Sequence, residues 1–161
     1  MSPQVRPGAR APNRSPAGSD GRGAPVVLAT LAVPFDPESA RVALQAAMET
    51  NVKLIVVDAV ERPWWPQALA TRYAELELAE DRAEIRRFAG HAAALGLDVE
   101  HLRVPSPRPV EALLEVAAER AAGLLVLGPD RSRFKPRRFA RLARRVRRRA
   151  SCLLWVAGEG P

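Results

Sequence analysis

The chain has 161 residues, of which 47% are hydrophobic and 27% charged, which suits one globular domain with an ordinary core and argues against a second domain. Its one cysteine excludes an intramolecular disulfide, and neither a secretory signal nor an apolar run long enough to span a membrane is found, so we predict a cytoplasmic protein. The net charge of +7 is uneven: ten arginines and one lysine lie within residues 131–149 without an acid, whereas residues 25–130 carry a net charge of −6.

The N-terminal part of the chain changes character at residue 25. Residues 1–24 are rich in proline, glycine and arginine and have almost nothing apolar to bury, so we predict a disordered tail. An aliphatic run over residues 26–33 predicts a buried strand. A helix should follow, because Asp36 suits the N-cap and Pro37 the first helical position.

The middle of the chain predicts a strand, a helix and a second strand. Residues 52–60 are mostly apolar and predict a strand. The next loop contains Trp64 and Trp65, which would stack on a base or, alternatively, pack over the sheet end. The helical pattern between residues 66 and 95 changes phase, which predicts a break near residues 74–77. Residues 97–104 include four polar side chains and predict an edge strand.

The last third of the chain predicts two helices and two strands. A helix should follow Pro109, and the apolar run 123–128 predicts a buried strand that ends in a turn at residues 128–130. A basic helix is predicted at residues 137–149 and a last strand at residues 152–157. Strands that alternate with helices predict an α/β fold with a mainly parallel sheet and helices on both faces. Ligands of such sheets bind outside the carboxyl ends of the strands, where the winding direction reverses.

Residues 109–117 (PVEALLEVA), which lead into 122–128 (AGLLVLG), resemble the universal stress protein family, and the order of elements is similar over residues 25–158. The resemblance implies a Rossmann-like five-stranded parallel sheet in the order 3-2-1-4-5. It also implies a homodimer formed through the last strand. In one branch of the family it implies ATP in the crevice at the reversal point.

The ATP-binding branch has a motif of Gly, two residues, Gly, nine residues, then Gly followed by Ser or Thr. Only Gly128 matches it; the other positions fall on Arg131, Arg141 and Leu142, and the family's acidic residue at the end of the first strand falls on Leu31. Glycine lets phosphate approach backbone amides closely, and an arginine side chain fills that space. We therefore expect no ATP binding in the family manner and no obligatory cofactor.

An arginine-based phosphate site is the alternative to an empty crevice, because guanidinium groups also bind phosphate. The candidate residues for a phosphate or nucleotide crevice are Val33, Gly128, Arg131 and Ser132. Ser132 is alternatively a turn residue or an N-cap. His91 and His101 have no partner at ligand spacing, so no metal site is predicted, and the absence of known catalytic motifs predicts that the protein is not an enzyme.

Two further surfaces are predicted near the C-terminus. The helix 137–149 should bury one apolar stripe and expose a cationic face, which is either a solvated surface or a binding surface for nucleic acid or an acidic membrane. The residues of that face are Arg137, Arg138, Arg141, Arg144, Arg145 and Arg148. The predicted dimer strand contains Cys152, Leu154, Trp155 and Val156. The sequence thus favours a non-enzymatic stress-response protein that acts through dimers and protein partners. A nucleotide (ATP or AMP) sensor and a polyanion-binding module are the alternatives.

Overall fold

The structure, a computed structural model, describes residues 23–62 and 72–159 and, within the helix that begins at residue 72, the side chains from residue 78 onward. Nearly all of the predicted tail at residues 1–24, and the pair Trp64 and Trp65, lie outside the described residues.

The described residues form one parallel sheet in the order β3-β2-β1-β4-β5, as the resemblance implied. The strands are β1 (Val26–Thr30), β2 (Leu54–Glu61), β3 (Val99–Ser106), β4 (Leu124–Leu127) and β5 (Leu153–Val156). The helices are α1 (Pro37–Thr50), α2 (Arg72–Ala94), α3 (Pro109–Glu119) and α4 (Pro136–Arg149), and a single 3-10 turn at Arg131–Arg133 precedes α4.

Two sequence predictions need correction. β1 ends at Thr30 instead of residue 33, because Ala32 takes a left-handed conformation (φ 55°) and its amide donates to the Asp58 carboxylate at 3.1 Å. The predicted break at residues 74–77 is wrong, since the backbone of α2 is helical without interruption from Arg72 to Ala94. The segment consists almost entirely of good helix formers, and their propensity outweighs the change of apolar phase.

The start of α1 forms as the sequence predicted. The Asp36 side chain accepts hydrogen bonds from the Ser39 amide at 2.9 Å and from the Ser39 hydroxyl at 2.8 Å, and Pro37 occupies the first turn. Ser39 is fully buried. The cap therefore fixes α1 directly against the carboxyl ends of the central strands.

The core has two layers, one on each face of the sheet. In one layer, α1 and α2 pack on the strand residues Leu28 and Val56. In the other, Leu113 of α3 and Phe139 of α4 belong to the same cluster as Val27 and Leu125 of the sheet. The central strands are covered on both faces, which explains their unbroken apolar sequences. β3 lies at one edge of the sheet and is only half-buried, as its polar residues predicted. Within the described parts of the chain, no helix is long and apolar enough to cross a membrane.

Candidate functional site

The strand order places the reversal point between β1 and β4, and there the two loops are hydrogen-bonded to each other. Phe35 and Pro129 form an isolated antiparallel bridge. The Asp36 amide donates to the Gly128 carbonyl at 3.0 Å, and the Asp130 amide donates to the Pro34 carbonyl at 2.9 Å. These backbone groups are thereby satisfied within the chain, so the turn after β4 does not present the amides of Asp36 and Asp130 to a ligand.

Gly128 is the one glycine that matches the nucleotide motif, and it packs against α1. A Cβ atom at this position would lie 2.3 Å from the Ser39 Cβ and 2.8 Å from the Ser39 Oγ. The φ angle of Gly128 is not in the left-handed region, so close approach is what requires the glycine here. The role of Gly128 in this fold is helix packing.

The residues after Gly128 are held by local contacts. The Asp130 carboxylate accepts from the Ser132 amide at 2.9 Å, so Ser132 is a turn residue and Asp130 is the cap. The Arg131 guanidinium lies over the Phe139 ring, 5.3 Å from its centroid, with an Nη1 atom 3.4 Å from the Gly158 carbonyl oxygen. Arg131 thus links the turn after β4 to α4 and to the residue Gly158 after β5.

Two open clefts are lined in part by residues 31–37, which span the loop after β1 and the first residue of α1. The first has a volume of about 670 Å³ and is crossed by an ion pair between Arg133 and Asp81, with 2.9 Å between Nη2 and Oδ2. Its walls are mixed in charge: Pro34, Phe35, Pro37, Glu80, Asp81, Ala83, Glu84, Arg87, Asp130 and Arg133. The second has a volume of about 380 Å³ and an apolar floor with arginines along α4. Its lining includes Leu31, Ala32, Phe134, Arg138, Arg141, Leu142 and Arg145.

The predicted crevice residues are only partly brought together. Val33, Gly128, Arg131 and Ser132 line neither of these two clefts, whereas Pro34 and Asp130, their direct neighbours, line the larger one. Arg141 and Leu142, which stand at the motif's glycine and hydroxyl positions, lie inside α4, more than one turn after Pro136. Amides inside a helix are bonded to carbonyls one turn earlier, so these positions offer a phosphate no free amide.

The arginines of α4 are exposed, but they do not form a uniform surface of free charges. Its apolar stripe is buried at Phe139, Ala143 and Val146. Several of its arginines form ion pairs: Arg138 with Glu61 at 3.6 Å, Arg149 with Glu111 at 3.3 Å, Arg145 with Glu111, and Arg147 with Glu159. Among the described residues, those of the predicted face without an ion pair are Arg137, Arg141, Arg144 and Arg148.

β5 forms the second edge of the sheet, next to β4. Leu153 is 74% exposed, whereas Leu154 and Trp155 are half-buried against the core and Val156 is buried. Burial also raises the pKa of the Cys152 thiol, which is partly enclosed at the start of the strand. The exposed apolar side chain of this edge is therefore Leu153.

Asp58 carries a buried carboxylate that was not among the predicted site residues. Asp58 is 2% exposed, accepts from the Ala32 amide, and lies 3.7 Å from the Arg103 Nε. Burial raises its pKa, and burial lowers the pKa of His101 on the neighbouring strand. A lone acid inside the apolar run 54–60 is the signal that could have identified it. Within the part of the chain that the structure describes, no three metal-ligating side chains cluster together.

Comparison with solved structures supports the same fold. A universal stress protein from Archaeoglobus fulgidus is 20% identical, with a TM-score of 0.58, covering 83% of this chain and 98% of its own. A universal stress protein in complex with cAMP is 25% identical, with a TM-score of 0.57, covering 85% and 98%. The Archaeoglobus fulgidus protein in complex with dAMP is 18% identical, with a TM-score of 0.57, covering 83% and 97%. No curated protein matches the chain by sequence.

The match to a family of sequences covers nearly the whole described chain. Residues 25–158 match the universal stress protein family, and these are the residues that form the five-stranded sheet and its four helices. The chain therefore belongs to the universal stress protein family.

Proposed function

We propose that this member of the universal stress protein family is a non-catalytic regulatory protein that does not bind ATP in the family manner. The observation that carries the proposal is the closed reversal point, where Gly128 packs on Ser39 and the flanking loops share two backbone hydrogen bonds. A triphosphate bound there would need amides that this chain already uses, and binding would have to open the Phe35–Pro129 bridge.

The chemistry of the surrounding side chains supports the same proposal. The side chain of Leu31, at the position of the family's acid, cannot accept a hydrogen bond from a nucleoside, and Arg131 is held over Phe139. No nucleophile activated by a neighbouring base is found at the two clefts within the described residues, so no catalytic role is proposed.

Isothermal titration with magnesium ATP tests the proposal. We expect no saturable heat in the micromolar range and at most weak binding at millimolar nucleotide. Saturable binding with a micromolar dissociation constant would overturn it.

A nucleotide sensor with an arginine-based phosphate site is the second candidate, and one observation favours it. The 380 Å³ cleft combines an apolar floor with Arg138, Arg141 and Arg145, and a relative that is 25% identical has been solved with cAMP. An apolar floor suits a base and the guanidinium groups suit a phosphate. Under this candidate Arg141→Gln weakens AMP or ATP binding in the titration, and Arg137→Gln, outside the cleft, does not.

The partners proposed for this protein follow from its edges and charge. A second copy would cover the exposed Leu153 on the β5 edge.

The unpaired arginines of α4 suit sequence-independent contact with phosphate backbones, and such binding would weaken steeply with salt. Binding of duplex DNA at low salt that is abolished by Arg141→Glu with Arg144→Glu would support this role, and absence of salt-sensitive binding by the natural chain would exclude it.

A further inference from the structure

Three arginines meet at the carboxyl ends of β2 and β3, away from the reversal point between β1 and β4. Arg62 directly follows β2, Arg103 lies on β3 and Arg82 lies on α2. Together with Val60, Glu61 and Pro105 they line an open cleft of about 470 Å³, here called the arginine cleft. The three arginines come from three different elements, and Arg103 among them has an ion pair, to Asp58.

The register of the strands explains why these side chains meet. Asp58 pairs with Arg103, and Val60 pairs with Pro105, so Arg103 lies on the same face of the sheet as Asp58 and Val60. α2 covers this face, and it brings Arg82 over the two strands. The Arg62 amide donates to the Ser106 carbonyl at 3.0 Å and thereby fixes the backbone of the third arginine.

The positive charge of the cleft is incompletely balanced. The Arg82 Nε is buried without a hydrogen-bond partner, and neither Arg62 nor Arg82 forms an ion pair within residues 23–62 and 72–159. Arg103 lies 3.7 Å from Asp58 through its Nε, which is too long for a hydrogen bond. The acid at the rim, Glu61, is paired with Arg138 at 3.6 Å.

Guanidinium groups without a carboxylate partner bind phosphate well, and among the described residues of this cleft Arg62 and Arg82 are two such groups. We propose that the arginine cleft binds a small phosphorylated molecule through its phosphate group. A phosphate monoester carries about −1.5 to −2 charges near pH 7 and three acceptor oxygens, which suit several guanidinium groups at once.

The size of the cleft indicates a ligand larger than the phosphate itself. Its 470 Å³ lies within the range of roughly 300–1,000 Å³ that is usual for small-molecule sites. Val60 and Pro105 offer an apolar surface for the organic part. Because the cleft is separate from the reversal point, this inference goes beyond the function proposed above, and either can fail without the other.

Nitrogen-15 NMR of the arginine Nε–H groups in the full chain tests the inference. Inorganic phosphate and sodium acetate are titrated at matched ionic strength. We expect phosphate to shift the Arg62, Arg82 and Arg103 signals saturably, and Arg82→Gln to weaken phosphate binding about tenfold or more, which is the usual loss for a charged hydrogen bond. Arg137→Gln, on the exposed face of α4, is the matched control and should leave binding unchanged.

Arg62→Gln provides a second variant if Arg82→Gln does not fold, since the Arg62 side chain is exposed and its backbone bond is kept. It should weaken phosphate binding in the same direction. The inference is overturned by shifts that never saturate, by acetate binding as tightly as phosphate, or by loss of phosphate binding in Arg141→Gln with retention in Arg82→Gln and Arg62→Gln.

Discussion

Replacing Gly128 with alanine separates a packing role for this glycine from a role in ligand binding. The new Cβ would lie 2.3 Å from the Ser39 Cβ, and Ser39 is fully buried at the capped start of α1. The helix must therefore move away from the sheet, and we expect the free energy of unfolding to fall by about 1–3 kcal/mol, the usual cost of overpacking a core. For a domain of this size that is a decrease in melting temperature of roughly 3–5 °C per kcal/mol.

A double-mutant cycle with Ser39→Gly makes the test specific. Ser39→Gly alone destabilises the protein, because it removes the buried hydroxyl bonded to Asp36 and places glycine in a helix. In its presence, however, Gly128→Ala has room and should cost less than about 0.5 kcal/mol. Both are measured by thermal and urea unfolding without nucleotide. If Gly128→Ala leaves stability unchanged in the natural background, the packing argument is refuted.

Three other predictions concern charge and assembly. Glu111→Gln should lower stability by about 0.5–1.5 kcal/mol in urea unfolding, because the half-buried carboxylate joins α3 to two arginines of α4, while the exposed Glu115→Gln should not. Leu153→Lys should shift a dimer toward monomer in sedimentation, and an unchanged mass would argue against the β5 edge. Burial raises the pKa of Asp58 in the folded protein, so ionising this carboxyl destabilises the fold. The stability of the protein is therefore highest below the ordinary pKa of 3.8 and falls as the pH rises through the folded pKa. Asp58→Asn cannot ionise and should therefore stabilise the protein at pH 7. The gain should therefore vanish in unfolding curves measured below pH 3.8, and a gain independent of pH would contradict the assignment.

Much of the fold could be predicted because its signals are local. Apolar runs located four of the five strands, the partly polar residues 97–104 located the edge strand β3, and Asp36 followed by Pro37 marked the start of α1. The apolar stripe of α4 identified its buried face. The early end of β1 was missed because it depends on Ala32 binding Asp58, which lies 26 positions later in the chain.

The candidate sites were less predictable because they depend on tertiary neighbours. The sequence showed that Gly128 is the one glycine that matches the motif. Only the fold shows that a glycine is needed there because Ser39 packs against it. Likewise, the sequence of α4 alone suggests arginines without partners, whereas in the fold α3 places Glu111 beside Arg145 and Arg149. The meeting of Arg62, Arg82 and Arg103 depends on the register of β2 with β3, which no spacing in the sequence reveals.

Backbone-amide NMR during a titration with magnesium ATP tests the closed reversal point most directly, because it locates any binding as well as detecting it. The amides of Asp36 and Asp130 are hydrogen-bonded between the loops, and the Gly128 amide donates to the Ala29 carbonyl at 2.9 Å. We expect the chemical shifts of these three amides to stay unchanged up to millimolar nucleotide. Saturable shifts of these three amides with a micromolar midpoint would show that the loops open to hold ATP and would contradict the account.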